Sequence, residues 1–398
     1  MIPKKAEIVI IGGGVIGASI AYYLAKEKVD VVLLERDTIA SGTSGACSGG
    51  ILLISKKPGI HLELAIQGAA EYKTLMNSID RNKVEYAQSG GMAIIENEIE
   101  WEFMKELAQK QRENGLDVEL LNKKETRKLE PSLSQNILGS TYSKIDADVN
   151  PMLLTLTLVE EAKRLGAKIS KFTEVLNIDV KSNKIRAVRT NKGVIETRFI
   201  VNAAGVYSAE IGKLIGVNIP IYPLRGQVLV TEQIPRLING YMMSAKGVMK
   251  KFIPYLSNSN NLENDISDEQ KYNISPSIHQ TVSGNVIIGI TRELAGFDRS
   301  TNYRVNKYIA KNNSRLVPAL REVNIIRSFT GLRPYTPDGL PILGKVPFIE
   351  GFILALGHGG DGISLAPMTG KLISDLILRG STSISLDEFA FKRFQSKE

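Results

Sequence analysis

Arg333 stands in the segment Gly331-Leu-Arg-Pro-Tyr-Thr-Pro-Asp-Gly-Leu-Pro-Ile-Leu-Gly344. A guanidinium is a planar fork of N–H donors that grips a carboxylate at two points, so it suits the orientation of a small acid. The competing reading is a structural arginine paired with a loop acid such as Asp338. A second set, Gly12-x-Gly14-x-x-Gly17 with Glu35 twenty-one residues past Gly14, has the spacing of a dinucleotide site. One glycine would make the tight turn, the next would admit a pyrophosphate, and the third would pack helix on strand. The amides of Val15 and Ile16 would then face phosphate from a helix N-terminus, and Glu35 would accept ribose hydroxyls. Histidine and cysteine are scarce, with only His61, His279, His358 and Cys47. No disulfide, zinc centre or iron–sulfur centre is expected from one thiol, no metal ligand set is predicted, and the compartment reads as reducing.

These residues need elements to hold them. Ile8 to Ala25 is a run of eighteen uncharged residues after Lys4 and Lys5, a length that would also serve a signal peptide or membrane span. Three consecutive glycines at 12–14 argue against an apolar helix, since each costs about 1 kcal/mol relative to alanine. The run divides better into a strand from Glu7 to Ile11, a glycine turn and a helix over about Val15–Lys26. A second strand, Asp30 to Leu34, ends at Glu35, which completes a βαβ unit. Further on, Asn150-Pro151 suits an N-cap and first helical residue for a helix to about Leu165. A strand is then expected over Lys168–Val175.

Both FAD and NAD use this fingerprint, and the remaining chain decides between them. Arg36 to Ile51 is a loop dense in glycine and small hydroxyl residues, including Thr43, Ser44, Gly49 and Gly50. It could press backbone amides against a second stretch of a long cofactor, or be a plain surface connection. Around Val201-Asn-Ala-Ala204-Gly205-Val-Tyr-Ser208 a strand ends in small residues. Gly351 to Ser364 is a strand feeding a second glycine loop, Gly357-His-Gly359-Gly360-Asp-Gly362-Ile363, with Pro367 suited to the first turn of a helix running to about Leu378. A third contact of this kind would favour negative charge on a flavin ring and would be superfluous for nicotinamide.

The N-terminal fingerprint, Val201–Ser208, Pro223-Leu-Arg-Gly-Gln227, Gly331–Gly344 and Gly357–Pro367 follow in order across nearly the whole chain. Together they resemble the FAD-dependent D-amino-acid oxidase superfamily, in the branch of sarcosine oxidase β subunits, dye-linked proline and hydroxyproline dehydrogenases, and glycine oxidases. The resemblance implies an α/β fold, a Rossmann-like FAD-binding domain with an inserted α+β substrate domain built on a mixed or antiparallel sheet. It also implies non-covalent FAD and oxidation of an amino acid to its imine by hydride transfer to flavin N5, followed by hydrolysis. Arg333 corresponds to the family's carboxylate-binding arginine, and Val175 would touch adenine through its backbone. The position of Arg333 carries a flavin-linking cysteine in monomeric sarcosine oxidases, so that attachment is absent here. Cys47 could offer another, or be an inert packing residue. His358 is read as a base or as a packing residue of the glycine loop. His279, Tyr255 and Tyr335 are candidates for the pocket wall. Where related sarcosine oxidases place an oxygen-activating lysine, this chain offers Val286, Ile287 and Ile288, which favours a dehydrogenase passing electrons to a quinone, a dye or a partner subunit over one using dioxygen.

The FAD-binding domain is expected over 1–80, 145–220 and 325–398, with the substrate domain in 81–144 and 221–324. Residues 256–275 are polar with four acids against one lysine, and read as a lid, a docking surface or a solvated insertion. The 398 residues carry a net charge of +8, yet no Lys/Arg-rich run points to nucleic acid. A cytoplasmic location is expected, with attachment at the inner face of a membrane through the basic surface as a further option. The dehydrogenase reading includes a place as the catalytic subunit of a hetero-oligomer; competing functions are an oxygen-using amino-acid oxidase, a non-catalytic flavin-binding electron-transfer subunit and an NAD dehydrogenase.

Overall fold

The computed structural model describes residues 2–252 and 271–395. Tyr255 and all but the last five residues of the acidic 256–275 stretch lie outside the described residues.

The first strand, Ile8–Ile11, is fully buried, as is Val31–Leu34 beside it. Short apolar runs without alternation need cover on both faces, as strands of parallel sheets have. Six strands form that sheet in the order Ile342–Lys345, Phe352–Leu356, Phe199–Asn202, Ile8–Ile11, Val31–Leu34, Lys168–Ser170. All neighbours run parallel except the first pair. Strand order reverses direction around Ile8–Ile11, the kind of place where open α/β sheets bind ligands at their carboxyl ends. Helices Val15–Lys26, Pro151–Arg164, Ile60–Met76 and Gly362–Arg379 pack together over one face. Asn150 caps the second of these, its side chain accepting from the Leu153 amide at 3.2 Å.

A second, eight-stranded sheet has the order Ile325–Tyr335, Tyr222–Gln233, Asn285–Gly289, Ser277–Gln280, Tyr241–Ser244, Gly91–Ile95, Gly139–Ser143, Glu119–Asn122. Only Tyr241–Ser244 with Gly91–Ile95 is parallel, so the sheet is mixed. Ile325–Tyr335 pairs with Tyr222–Gln233 over nearly its whole length. It therefore belongs to this sheet, and its Arg333 end reaches the pocket at the first sheet.

Two local expectations change. Lys168 to Val175 is not one strand: Phe172 turns the chain at φ 53°, and a separate hairpin strand starts at Val175. The C-terminal helix opens at Gly362, so Pro367 sits inside it rather than in its first turn. Proline has no N–H for the carbonyl four residues earlier. That carbonyl, Ile363 O, instead accepts from the Tyr72 hydroxyl at 2.7 Å.

Candidate active site

One extended pocket gathers the predicted cofactor residues at the carboxyl ends of the first sheet's strands. Gly12, Gly14, Val15 and Ile16 line it, with Thr43 and with Ser44, which touches the turn. Glu35, Arg36 and Val175 lie along one end, and Gly357, Gly359, Gly360, Gly362, Ile363 and Arg333 along the other. Ala204, Gly205 and Gly331 complete the walls.

The glycine turn works by close approach of backbone. Gly12 has φ 115°, and a Cβ there would lie 2.5 Å from Ala203 O. At Gly17 a Cβ would lie 2.0 Å from Gly12 O, so this residue sits behind the wall and sets helix against strand. Of the helix-terminal amides, Val15 is already engaged, donating to Ser44 Oγ at 3.0 Å. Ser44 thereby ties the hydroxyl-rich loop to the turn, and Thr43 ties it to the second sheet by donating to Leu332 O at 2.5 Å. Glu35 accepts from the Gly13 amide at 2.7 Å and the Asp37 amide at 2.8 Å. A carboxylate has about four acceptor sites, so capacity remains for ribose hydroxyls. Arg36 lies over the Tyr207 ring at 3.6 Å, and Tyr207 stacks on Phe297.

Gly49, Gly50 and Ile51 are not brought to the wall. Gly49 presses against Val149 O, and Gly50 and Ile51 pair with Asp148 and Ala147. Cys47 does line the pocket, with Sγ 3.3 Å from Ser44 O. Burial pushes its thiol up to about 12, so it stays protonated and a poor nucleophile.

On the other half, Arg333 is half-buried and lies across Gly226, where a Cβ would be 2.2 Å from Nη2. The pairing of Leu224 with Arg333 and of Gly226 with Gly331 accounts for glycine in Pro223–Gln227. Nη1 donates to Thr291 O at 3.1 Å. Asp338 is instead held by Arg393 at 2.6 Å, which overturns the structural pairing with Arg333. Burial, with the Arg292 charge, brings the Arg333 guanidinium down to about 10, so it is cationic at neutral pH. Neighbouring Arg225 is consumed by Glu293 at 2.9 Å and Asp298 at 2.5 Å.

His279 and His358 are both buried. His358 lines the pocket, but its Nε2 lies 3.1 Å from Thr369 Oγ1, and burial lowers it to about 3. That geometry matches the packing role. His279 is off the wall, stacked on Tyr241 with ring centroids 5.1 Å apart, and burial lowers it to about 4. Tyr335 is not among the wall residues either, whereas its neighbour Pro334 is.

Sequence reasoning missed Arg299, Gly226, Ile290 and Val228, all of which line the pocket. It also missed a polar cluster at the start of the C-terminal helix. Lys56 Nζ lies 2.6 Å from Asp361 Oδ1, His61 Nε2 3.4 Å from Oδ2, and Lys251 3.8 Å from Oδ1. The only sequence signal was Ser55-Lys56-Lys57 after the apolar run Ile51–Ile54.

Among the described residues there is no cluster of three or more His, Cys, Asp or Glu that could hold a metal ion, and no helix long and apolar enough to cross a membrane. A long glycine-walled groove with a free-facing acid at one end and a guanidinium at the other fits FAD in its chemistry and its cradle.

Comparison with known proteins agrees. Residues 7–376 match the family described as FAD dependent oxidoreductase, DAO. Hydrogen cyanide synthase subunit HcnC of Pseudomonas aeruginosa is 28% identical, covering 98% of this chain and 97% of its own. Glycine oxidase of Geobacillus kaustophilus is 29% identical, covering 99% and 98%. Among solved structures, L-proline dehydrogenase from P. horikoshii superposes with a TM-score of 0.88 at 26% identity, covering 99% and 98%. The pocket therefore belongs to an FAD-binding enzyme, and the chain is a member of the DAO family of FAD-dependent oxidoreductases.

Proposed function

We propose that this protein oxidises the C–N bond of a secondary or D-amino acid to the imine, as a dehydrogenase. The observation that carries this reading is Arg333. Its cation is held flat over Gly226, spends one donor on Thr291 O and makes no ion pair among the described residues. It lies beside the Gly357–Ile363 loop, where a Cβ on Gly360 would be 3.5 Å from Arg333 Cδ. A bidentate grip there holds the substrate carboxylate and fixes the direction of the Cα–H bond, which is where most of the rate of a positioned reaction originates. FAD, when bound, supplies the hydride acceptor. Ile290 and Val228 add apolar wall that limits water around the reacting carbon. No side chain has to act as nucleophile, in keeping with the buried thiol and the neutral, hydrogen-bonded His358.

Relatives named as glycine oxidase and L-proline dehydrogenase support an amino-acid substrate. The Pseudomonas relative is named as a subunit, which supports a place here as the catalytic part of a hetero-oligomer. For the acceptor, Val286, Ile287 and Ile288 on Asn285–Gly289 favour a quinone, a dye or a partner subunit over dioxygen. The glycine oxidases among the relatives keep the oxygen-using reading as the second one.

The test is an anaerobic screen of the flavin-loaded protein with glycine, sarcosine and both enantiomers of proline and hydroxyproline. Loss of flavin absorbance with at least one supports the proposal, and an unreduced flavin with every amino acid overturns it. Hydrogen peroxide formed during turnover in air would move the assignment to an oxidase.

A further inference from the structure

Three arginines line the cofactor groove, Arg36, Arg299 and Arg333. Arg36 lies over the Tyr207 ring, and Arg333 donates to Thr291 O. Arg299 comes from a loop of the second sheet, residues 294–300, and its guanidinium makes no ion pair or hydrogen bond among the described residues. The acid beside it in the chain is already committed. Asp298 accepts from the Ser300 amide and hydroxyl, both at 2.8 Å, and pairs with Arg225 at 2.5 Å. The loop is tied to the groove at two points. The Arg299 carbonyl accepts from Thr330 Oγ1 at 2.5 Å, and Phe297 stacks on Tyr207 with ring centroids 5.1 Å apart and planes 16° apart. After Thr330 come Gly331, where a Cβ would lie 2.5 Å from Ala46 O, and Leu332, whose carbonyl accepts from Thr43. Ser44 in turn takes the Val15 amide at the N-terminus of the first helix. Arg299 is thereby placed beside the hydroxyl-rich loop that Ser44 ties to the glycine turn.

The pyrophosphate of FAD is doubly charged, whereas a helix N-terminus offers its amides and a partial charge of about +0.5. Here one of those amides, Val15, is spent on Ser44. A guanidinium supplies further positive charge in a fork that matches phosphate oxygens. Phe297 has 48% of its surface exposed, an apolar ring held at the protein surface by its contact with the wall residue Tyr207. Tyr207 also carries Arg36, so the end of the second strand, the turn after Phe199–Asn202 and the 294–300 loop all meet on one ring. We propose that the 294–300 loop is a clasp on bound FAD, in which Arg299 binds the pyrophosphate and Phe297, stacked on Tyr207, holds the loop against the groove. The second sheet thus helps to retain the cofactor as well as shaping the substrate's side of the pocket. Retention by this clasp is independent of which amino acid is oxidised.

The experiment follows flavin fluorescence without turnover, measuring FAD binding to the flavin-stripped full chain and FAD release from the loaded protein. Arg299→Gln should raise the FAD dissociation constant about 10-fold, as for loss of a charge-assisted hydrogen bond at an exposed loop. Arg299→Lys should recover part of it. ADP, used as a competitor, should lose affinity by a similar factor, and adenosine, which has no phosphate, should lose none. Added salt should weaken FAD binding more in the unmodified protein than in Arg299→Gln. Phe297→Ala should speed FAD release about 3- to 10-fold, the scale of one aromatic pair, and Phe297→Tyr should restore slow release. An unchanged FAD dissociation constant in Arg299→Gln, or equal losses for ADP and adenosine, overturns the pyrophosphate contact. A release rate unchanged in Phe297→Ala overturns the clasp. A rise in substrate KM in Arg299→Gln with FAD affinity unchanged overturns it as well, and assigns the arginine to the substrate.

Discussion

The two sheets meet at one pocket, but each builds its share from different material. On the six-stranded side the contacts are backbone against backbone: a Cβ at Gly12 or Gly17 would collide with a carbonyl at 2.5 or 2.0 Å. On the eight-stranded side the wall carries a long side chain, Arg333 over Gly226, whose Nη1 donates to Thr291 O far away in the chain. Backbone cradles tolerate almost no added atom, because neither partner can rotate away. Side-chain walls can be retuned one charge at a time. The cofactor half should therefore fail abruptly on small changes, and the substrate half should change specificity and rate while still holding flavin.

The sharpest way to break this contrast is Gly17→Ala. Its methyl would need Gly12 to move, so FAD affinity should fall by at least about 100-fold, about 2.7 kcal/mol, and the protein should purify nearly colourless. A yellow Gly17→Ala protein with ordinary flavin content would contradict the cradle. Next in size is Arg333→Met on the other half. Losing a bidentate charged contact and the orientation it imposes should cut kcat/KM by roughly 100-fold or more while the flavin spectrum persists. Steady-state kinetics with a dye acceptor measures it, and unchanged constants would remove Arg333 from the site.

Tyr72→Phe probes the helix layer that covers the six-stranded sheet. It leaves the buried Ile363 carbonyl without the Tyr72 hydroxyl that replaces the missing Pro367 amide. A cost of about 1–3 kcal/mol in denaturant unfolding is expected, with flavin still bound. The last prediction concerns His279. Folding holds it near 4, below its ordinary value, so the native state keeps it neutral while the unfolded chain takes up a proton. Its contribution is complete above about pH 6.5 and is lost as pH falls towards 4. His279→Phe keeps the stack on Tyr241 and removes the titration, so the stability difference between the two proteins should shift against the unmodified one on acidification. A difference independent of pH between 7 and 4 would show that His279 does not titrate this way.

The same division explains what could be read in advance. Gly12, Gly14, Gly17, Glu35 and the Val15–Lys26 helix are local in the chain, and their chemistry is written in adjacent residues. Gly49, Gly50 and Ile51 misled because their composition suits a cofactor loop, while the 147–149 backbone claims them. Pro367 misled because a distant hydroxyl makes an interior proline tolerable. Lys251 gave no signal: a lysine at the end of a short helical stretch reads as surface until Ser55, Lys56 and Asp361 arrive from two other parts of the chain.

By itself the sequence determined the dinucleotide cradle, the family-like order of motifs and the choice of Arg333, because turn geometry, helix starts and strand periodicity act over a few residues. Tertiary structure alone decided that Asp338 pairs with Arg393, that Arg333 lies over Gly226 without an ion pair among the described residues, and that His358 faces Thr369 Oγ1 where burial lowers it to about 3. Those outcomes depend on burial and on partners tens to hundreds of residues away. Desolvation and pairing, which set charge and reactivity, exist only once the two sheets have closed on one another.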